Sequence, residues 1–216
     1  MSNKIKVLDN GFVEFVDKMG DDKRVVEIAR ISYNKSVLSN DRTLTKQDIS
    51  LLNSLIKNGH LTPFEHLTIT LHIKAPIFVA RQWMRHRTQS YSELSLRYTN
   101  TDMEFYVPNK DRVSEEDIEE INKVYAIVYK TYKQLIDNNV PKEVARIVLP
   151  VGQYTEFYTT INIRNLMHFL DLRLDKSAQY EIRVYAEAIL KIFEVQFPYT
   201  CQAYLVNKWI YHIPPP

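Results

Sequence analysis

"HLTITLHIKAPIFVARQWMRHR", residues 66–87, changes its hydrophobic period halfway along. Leu67, Ile69, Leu71 and Ile73 alternate with Thr68, Thr70, His72 and Lys74, the period of a strand with one buried face. Pro76 then suits the first turn of a helix. That helix runs through Phe78 and Trp83 and brings Gln82, Arg81 and Arg85 onto one side. Upstream, Thr45 and Asp48 are spaced as a capping box, Ile49, Leu52, Leu55 and Ile56 form a helical stripe, and Asn58-Gly59 is a stop.

Downstream the chain first turns irregular. Ser114 and the acids after it then open a long helix carrying Ile118, Ile121, Tyr125, Val128, Tyr132 and Leu135. Pro141 begins a shorter helix with Arg146, closed before Pro150. "QYTEFYTTINI" (153–163) is rich in threonine and aromatics and predicts a second strand. Asn162 can cap a helix bearing Arg164 and His168 one turn apart, with Arg173 near its end. Ser177 starts the last helix, whose Ile182, Ile189, Phe193 and Phe197 read as core, and Pro198 stops it. The fold class is therefore α+β, a mixed sheet packed with several helices. With no repeat or flexible linker in sight, residues 1–216 are expected to form a single domain.

Composition narrows the function. A net charge of +2 argues against a general nucleic-acid or membrane binder, because those carry a broad basic excess. The apolar runs are too short to span a bilayer, and the N-terminus lacks a signal-peptide core, so a cytoplasmic location is expected. Four glycines, all far apart, exclude the G-x-G-x-x-G and P-loop cradles, so no Rossmann fold is expected. One cysteine, Cys201, permits neither an intramolecular disulfide nor a thiolate zinc cluster, and it reads as a buried structural thiol. His66 and His72 share a strand parity with His60 six residues before, but no carboxylate or thiolate cluster accompanies them; no metal is expected. They read as satisfied histidines at a strand edge.

Against this near-neutral background, "RHRTQSYSELSLRY" (85–98) gathers Arg85, His86, Arg87 and Arg97 around one acid, Glu93. Charges so close repel unless an anion offsets them. Arginine pairs bidentately with phosphate, histidine can donate or change charge, and Ser90, Ser92, Ser95 and Tyr98 add neutral donors. A phosphate carrying a base or ring suits that set; an exposed helix end whose arginines meet water is the plainer alternative. Arg146, Arg164 and Arg173 could converge with Arg85 and Arg97, which spacing alone cannot show.

The same segment resembles the signature of flavin-dependent thymidylate synthases, in which Arg-His-Arg precedes a serine-rich stretch ending Ser-x-Arg-Tyr. "HLTPFEH" (60–66), "KAPIFVARQWMRHR" (74–87), "EVARIVLP" (143–150) and "NIRNLMHFLDLR" (162–173) extend the resemblance in the expected order. It implies a methyltransferase of thymidylate biosynthesis, a homotetramer with active sites between subunits that converts dUMP to dTMP. Methylenetetrahydrofolate would give the carbon unit, FAD would be the bound cofactor and NADPH the reductant. Carried over by position, Gln82, Arg85, Glu93, Ser95, Arg97, Arg146 and Arg173 resemble the dUMP set, with backbone contacts from Trp83, Met84, Leu94 and Leu96. Arg173 matches the arginine at the uracil edge and is the expected catalytic residue. Thr62, Arg85, His86, Arg87, Glu93, Asn162, Arg164 and His168 resemble the FAD set, with Glu65 and His60 nearby candidates. Ser92 and Leu96 depart from the family's common asparagine and glycine, and His168 stands at a position that is asparagine in some relatives. Two other readings are a nucleic-acid binder using tyrosines as stacking platforms and a nucleotide hydrolase; the second needs a carboxylate-rich metal site.

Overall fold

A computed structural model describes residues 3–32, 43–97 and 103–207. Tyr98, one of the neutral donors above, lies outside them. Five strands, β1 (Lys4–Val7), β2 (Gly11–Met19), β3 (Thr68–Pro76), β4 (Gln89–Glu93) and β5 (Tyr154–Asn162), form one sheet in the order β1-β2-β3-β5-β4. The described residues also hold α1 (Asp22–Ile31), α2 (Lys46–Lys57), α3 (Ile77–Trp83), α4 (Glu115–Asp137), α5 (Lys142–Ala145), α6 (Ile163–Arg173), α7 (Tyr180–Gln196) and α8 (Pro198–Asn207). The architecture is the expected α+β one, with no Rossmann-type parallel sheet among the described residues. β1 and β2 pair antiparallel, with Lys4 opposite Glu14 and Val7 opposite Gly11.

The chain divides into two compact units. Met1–Glu14, His72–Arg87 and Tyr91–Tyr158 make the first, whose core includes Val13, Ile73, Val79, Trp83 and Phe157. Phe15–Leu71, Thr88–Ser90 and Thr159–Pro216 make the second, built on Leu52, Phe64, Leu67, Leu166, Phe169, Tyr185 and Phe193. In the second unit α8 packs against α2 and α7.

β3, the capping box of α2, and the caps Ser114 and Asn162 all stand where the sequence predicts them. Five local readings need correction. α3 ends at Trp83, and the Arg85 N–H reaches only the Gln82 carbonyl at 3.4 Å, so Arg85 leaves the helix rather than sharing a face with Arg81. The irregular stretch contains β4, whose polar residues give no apolar alternation to read. Ser177 bonds back to Asp175 (N–H 2.8 Å, Oγ 2.6 Å), and α7 begins later, at Tyr180. His66 closes a 3₁₀ turn (Thr62–His66) instead of lying on a strand. His72 sits on the central strand, not an edge, its Nε2 3.0 Å from Glu156 and its ring stacked 4.5 Å from Tyr158.

Pro198 does end α7, but it also opens α8, because a helix's first turn needs no N–H there. Asp22 caps that start. Its carboxylate accepts from the N–H groups of Tyr199 and Thr200, each at 3.0 Å, and from Thr200 Oγ1 at 2.5 Å. Burial nevertheless pushes the Asp22 carboxyl above its usual range, because desolvation outweighs the three donors. The folded chain thus holds this proton more tightly than the unfolded chain. The stability it contributes is complete below the ordinary value of about 4 and declines as pH rises through the folded one. Wild type should therefore lose stability relative to Asp22→Asn as pH rises from about 4 toward 7. Thermal midpoints of both proteins across that range check this, and a difference independent of pH would contradict it.

Candidate functional site

In the first unit β3 feeds α3 without a loop. The N–H groups of Ile77 and Phe78, which have no partner inside the helix, donate to the carbonyls of Gln153 (2.9 Å) and Val151 (3.0 Å). At the other end Trp83, 1% exposed, packs edge-on against Phe157 at 5.4 Å. Helix α3 is thus held at both ends, and Arg85, His86 and Arg87 emerge from a fixed point. The Tyr91 hydroxyl closes this loop, lying 2.9 Å from the Trp83 carbonyl and 3.0 Å from that of His86.

Gln82, Met84 and His86 are half-buried, whereas Arg85 and Arg87 are exposed. No carboxylate among the described residues pairs with either of these arginines. At the end of β4, Glu93 Oε1 accepts from Thr155 Oγ1 at 2.7 Å, and the Leu94 N–H donates to the Glu156 carbonyl at 2.8 Å. Ser95 Oγ accepts from the Arg97 N–H at 3.3 Å, and Arg97 Nε lies 3.6 Å from Glu143 of α5. Leu96 is half-buried, and Arg146 opens the 3₁₀ turn after α5 as an exposed side chain. The first unit therefore carries every member of the sequence-derived dUMP set except Arg173.

The second unit carries Arg173 and the remaining FAD candidates. Asn162 Oδ1 accepts from the Asn165 N–H at 2.9 Å, the cap that starts α6. Arg164 and His168 are exposed one turn apart on that helix, and Arg164 pairs with Glu65. Thr62 opens the 3₁₀ turn that contains Glu65, with His60 exposed just before it. A cleft of about 500 Å³ runs beside α6, with Ile56, Leu61 and Met167 as apolar lining and Arg164, His168 and Asp171 as polar lining. The Tyr204 hydroxyl donates to Asp171 Oδ1 at 2.8 Å. Arg173 ends α6 half-buried, and desolvation pushes its guanidinium pKa down.

Burial pushes the Cys201 thiol up to about 12, so no thiolate is available there at neutral pH. No His, Cys, Asp or Glu cluster among the described residues could hold a metal ion, and no described helix is long and apolar enough to cross a membrane. Each unit by itself offers groups that suit an anionic organic ligand: the first has Arg85 and Arg87 as exposed forked cations, and the second has Asn162 at a helix start and the apolar lining of its cleft.

Sequence reasoning missed Tyr91, Thr155, Asp171 and Tyr204. Tyr91 shares the parity of Glu93 on β4 and lies inside the arginine-rich segment, which is the sequence signal for it. Thr155 and Tyr204 meet Glu93 and Asp171 from distant parts of the chain, and no local pattern shows such pairs.

A family model described as thymidylate synthase complementing protein matches residues 14–199. The flavin-dependent thymidylate synthase of Thermotoga neapolitana is 50% identical over 208 residues, 94% of each chain. That of Pseudothermotoga lettingae is 44% identical and covers 95% of each. Among solved structures, the UMP/dUMP methylase PolB from Streptomyces cacaoi bound with 5-Br dUMP superposes with a TM-score of 0.84 at 32% identity, over 94% of this chain and 97% of that one. Its complex with 5-Br UMP gives 0.82 at 31%. A model match over most of the chain, with relatives this similar along nearly their full length, places the chain in the flavin-dependent thymidylate synthase family.

Proposed function

We propose that the chain methylates dUMP to dTMP in the cytoplasm, taking its carbon from 5,10-methylenetetrahydrofolate with bound FAD and with NADPH as reductant. The observation that carries this reading is the pair of exposed arginines, Arg85 and Arg87, that no described carboxylate neutralises. Two phosphorylated ligands would meet that charge. Arg85, Arg97 and Arg146 serve the dUMP phosphate, with Gln82 and Ser95 as neutral donors and backbone contacts from Trp83, Met84, Leu94 and Leu96. Arg85, His86, Arg87 and Arg164 serve the flavin diphosphate, while Thr62, Asn162 and His168 hold the rest of the cofactor. Glu93 accepts from a ligand donor.

Arg173 aims its guanidinium at the uracil edge, where donors fixed in advance favour the negative charge that develops on the ring. The flavin supplies the redox chemistry when bound. Neither cysteine chemistry nor a metal is required of this chain. Residues 1–216 act as one domain, and four copies assemble with active sites between subunits. Relatives at 41–50% identity named as thymidylate synthases favour dUMP over UMP, although the structural neighbour is named for both.

Anaerobic titration of flavin-free protein with FAD, read as quenching of free-flavin fluorescence, tests the reading. Saturable quenching, followed by a further spectral change on adding dUMP, is the expected result. Folded protein that quenches no flavin counts against it.

A further inference from the structure

Glu93 is exposed in a segment crowded with arginines, yet its partner among the described residues is not an arginine. It is the hydroxyl of Thr155, which is 6% exposed on β5. On β5 the odd-numbered residues Thr155, Phe157, Thr159 and Ile161 are buried, so a hydroxyl at 155 must find an acceptor inside the fold. It finds Glu93 Oε1 at 2.7 Å, which leaves Oε2 with no partner among the described residues. The backbone is fixed as well, because the next residue donates its N–H to the Glu156 carbonyl at 2.8 Å. An exposed glutamate otherwise samples many rotamers, and that freedom is lost when a ligand fixes the side chain.

We propose that Thr155 is the positioning residue for Glu93: its buried hydroxyl holds one carboxylate oxygen so that the other is already aimed at a ligand donor. This rests on the reading of Glu93 as a ligand-contacting group. Thr155 itself touches no ligand and acts only through the carboxylate.

The experiment is a double-mutant cycle on the full-length protein, with Thr155→Val, Glu93→Gln and the pair combined, and Thr155→Ser as the variant that keeps the hydroxyl. Dissociation constants for dUMP and for FAD are measured by calorimetry, together with kcat, KM and the thermal midpoint. Thr155→Val is expected to weaken one or both ligands by about three- to tenfold, as loss of one net hydrogen bond implies, and to raise KM more than it lowers kcat. Thr155→Ser should restore binding to within about twofold of wild type. In the combined variant Thr155→Val should cost less than it does in wild type, because the glutamine keeps an oxygen for Thr155 but turns its NH2 group, not an acceptor, toward the ligand.

Full additivity in the cycle, with Glu93→Gln weakening a ligand, would overturn the proposal while leaving the role of Glu93 intact. A Thr155→Val protein that loses thermal stability but keeps both affinities would overturn it too, because the hydroxyl would then only satisfy the fold. Glu93→Gln with no effect on either ligand removes the reading on which the proposal rests and overturns both.

Discussion

Arg85→Ala is expected to weaken dUMP binding by about 10- to 100-fold and to weaken FAD binding in parallel. The reasoning begins with where the helix stops. α3 ends at Trp83, so Arg85 projects from a loop that Tyr91 and Trp83 hold in place, and its guanidinium is exposed without a described carboxylate partner. No ion pair among the described residues has to be broken before it meets a phosphate. A hydrogen bond to a charged group is worth about 1.5–3 kcal/mol, and each 1.4 kcal/mol is tenfold. The loss should shrink in high salt, since the phosphate contact is partly solvated. Arg81→Ala is the control. Arg81 is also exposed but lies within α3, and its removal should leave both affinities within about twofold. Calorimetric titration of both variants decides the matter, and equal losses from the two would mean that net charge, not position, attracts the ligand.

Arg173→Ala is expected to lower kcat by about 10²- to 10³-fold, the range for removing one donor aimed at developing charge. Arg173 differs from Arg85 in being half-buried at the end of α6, where desolvation pushes its pKa down. The guanidinium stays charged at neutral pH all the same, and reduced hydration lets it act more strongly on a nearby ring. Arg173→Lys keeps the charge but loses the planar fork, so it should fall between wild type and alanine. Steady-state rates at saturating dUMP, with dissociation constants measured separately, check this. A variant whose KM rises while kcat holds would make Arg173 a binding residue only.

Much of the fold could be read from local chemistry. β3 announces itself by alternation, and Thr45, Ser114 and Asn162 cap helices where their side chains can accept from an N–H two or three residues on. β4 could not be read this way. Gln89-Ser90-Tyr91-Ser92-Glu93 has no apolar period and becomes a strand through β5, whose Thr159 and Thr155 hydroxyls meet Gln89 (2.8 Å) and Glu93 (2.7 Å). α8 was hidden for another reason. A proline after a helix reads as a terminator, and nothing near Pro198 reveals that Asp22 caps the next one.

The candidate site divides along the same line. Its arginines were legible because their letters recur in a known order and their charge stands out from a chain of net +2. The hydroxyls that organise the backbone and acids around them were not. Tyr91 reaches backbone carbonyls, which have no sequence signature, and Tyr204 meets Asp171 from 33 positions away. Sequence thus marks the groups whose chemistry is unusual; the ordinary hydroxyls that orient them become visible only after folding.

Conversion of dUMP to dTMP by flavin-stripped protein is the most direct measurement. It is carried out anaerobically with methylenetetrahydrofolate and NADPH, with and without added FAD, and read by mass spectrometry. dTMP that forms only when FAD is present is the predicted result. Folded, FAD-loaded protein that makes no dTMP would contradict it and leave a family member acting on a different substrate.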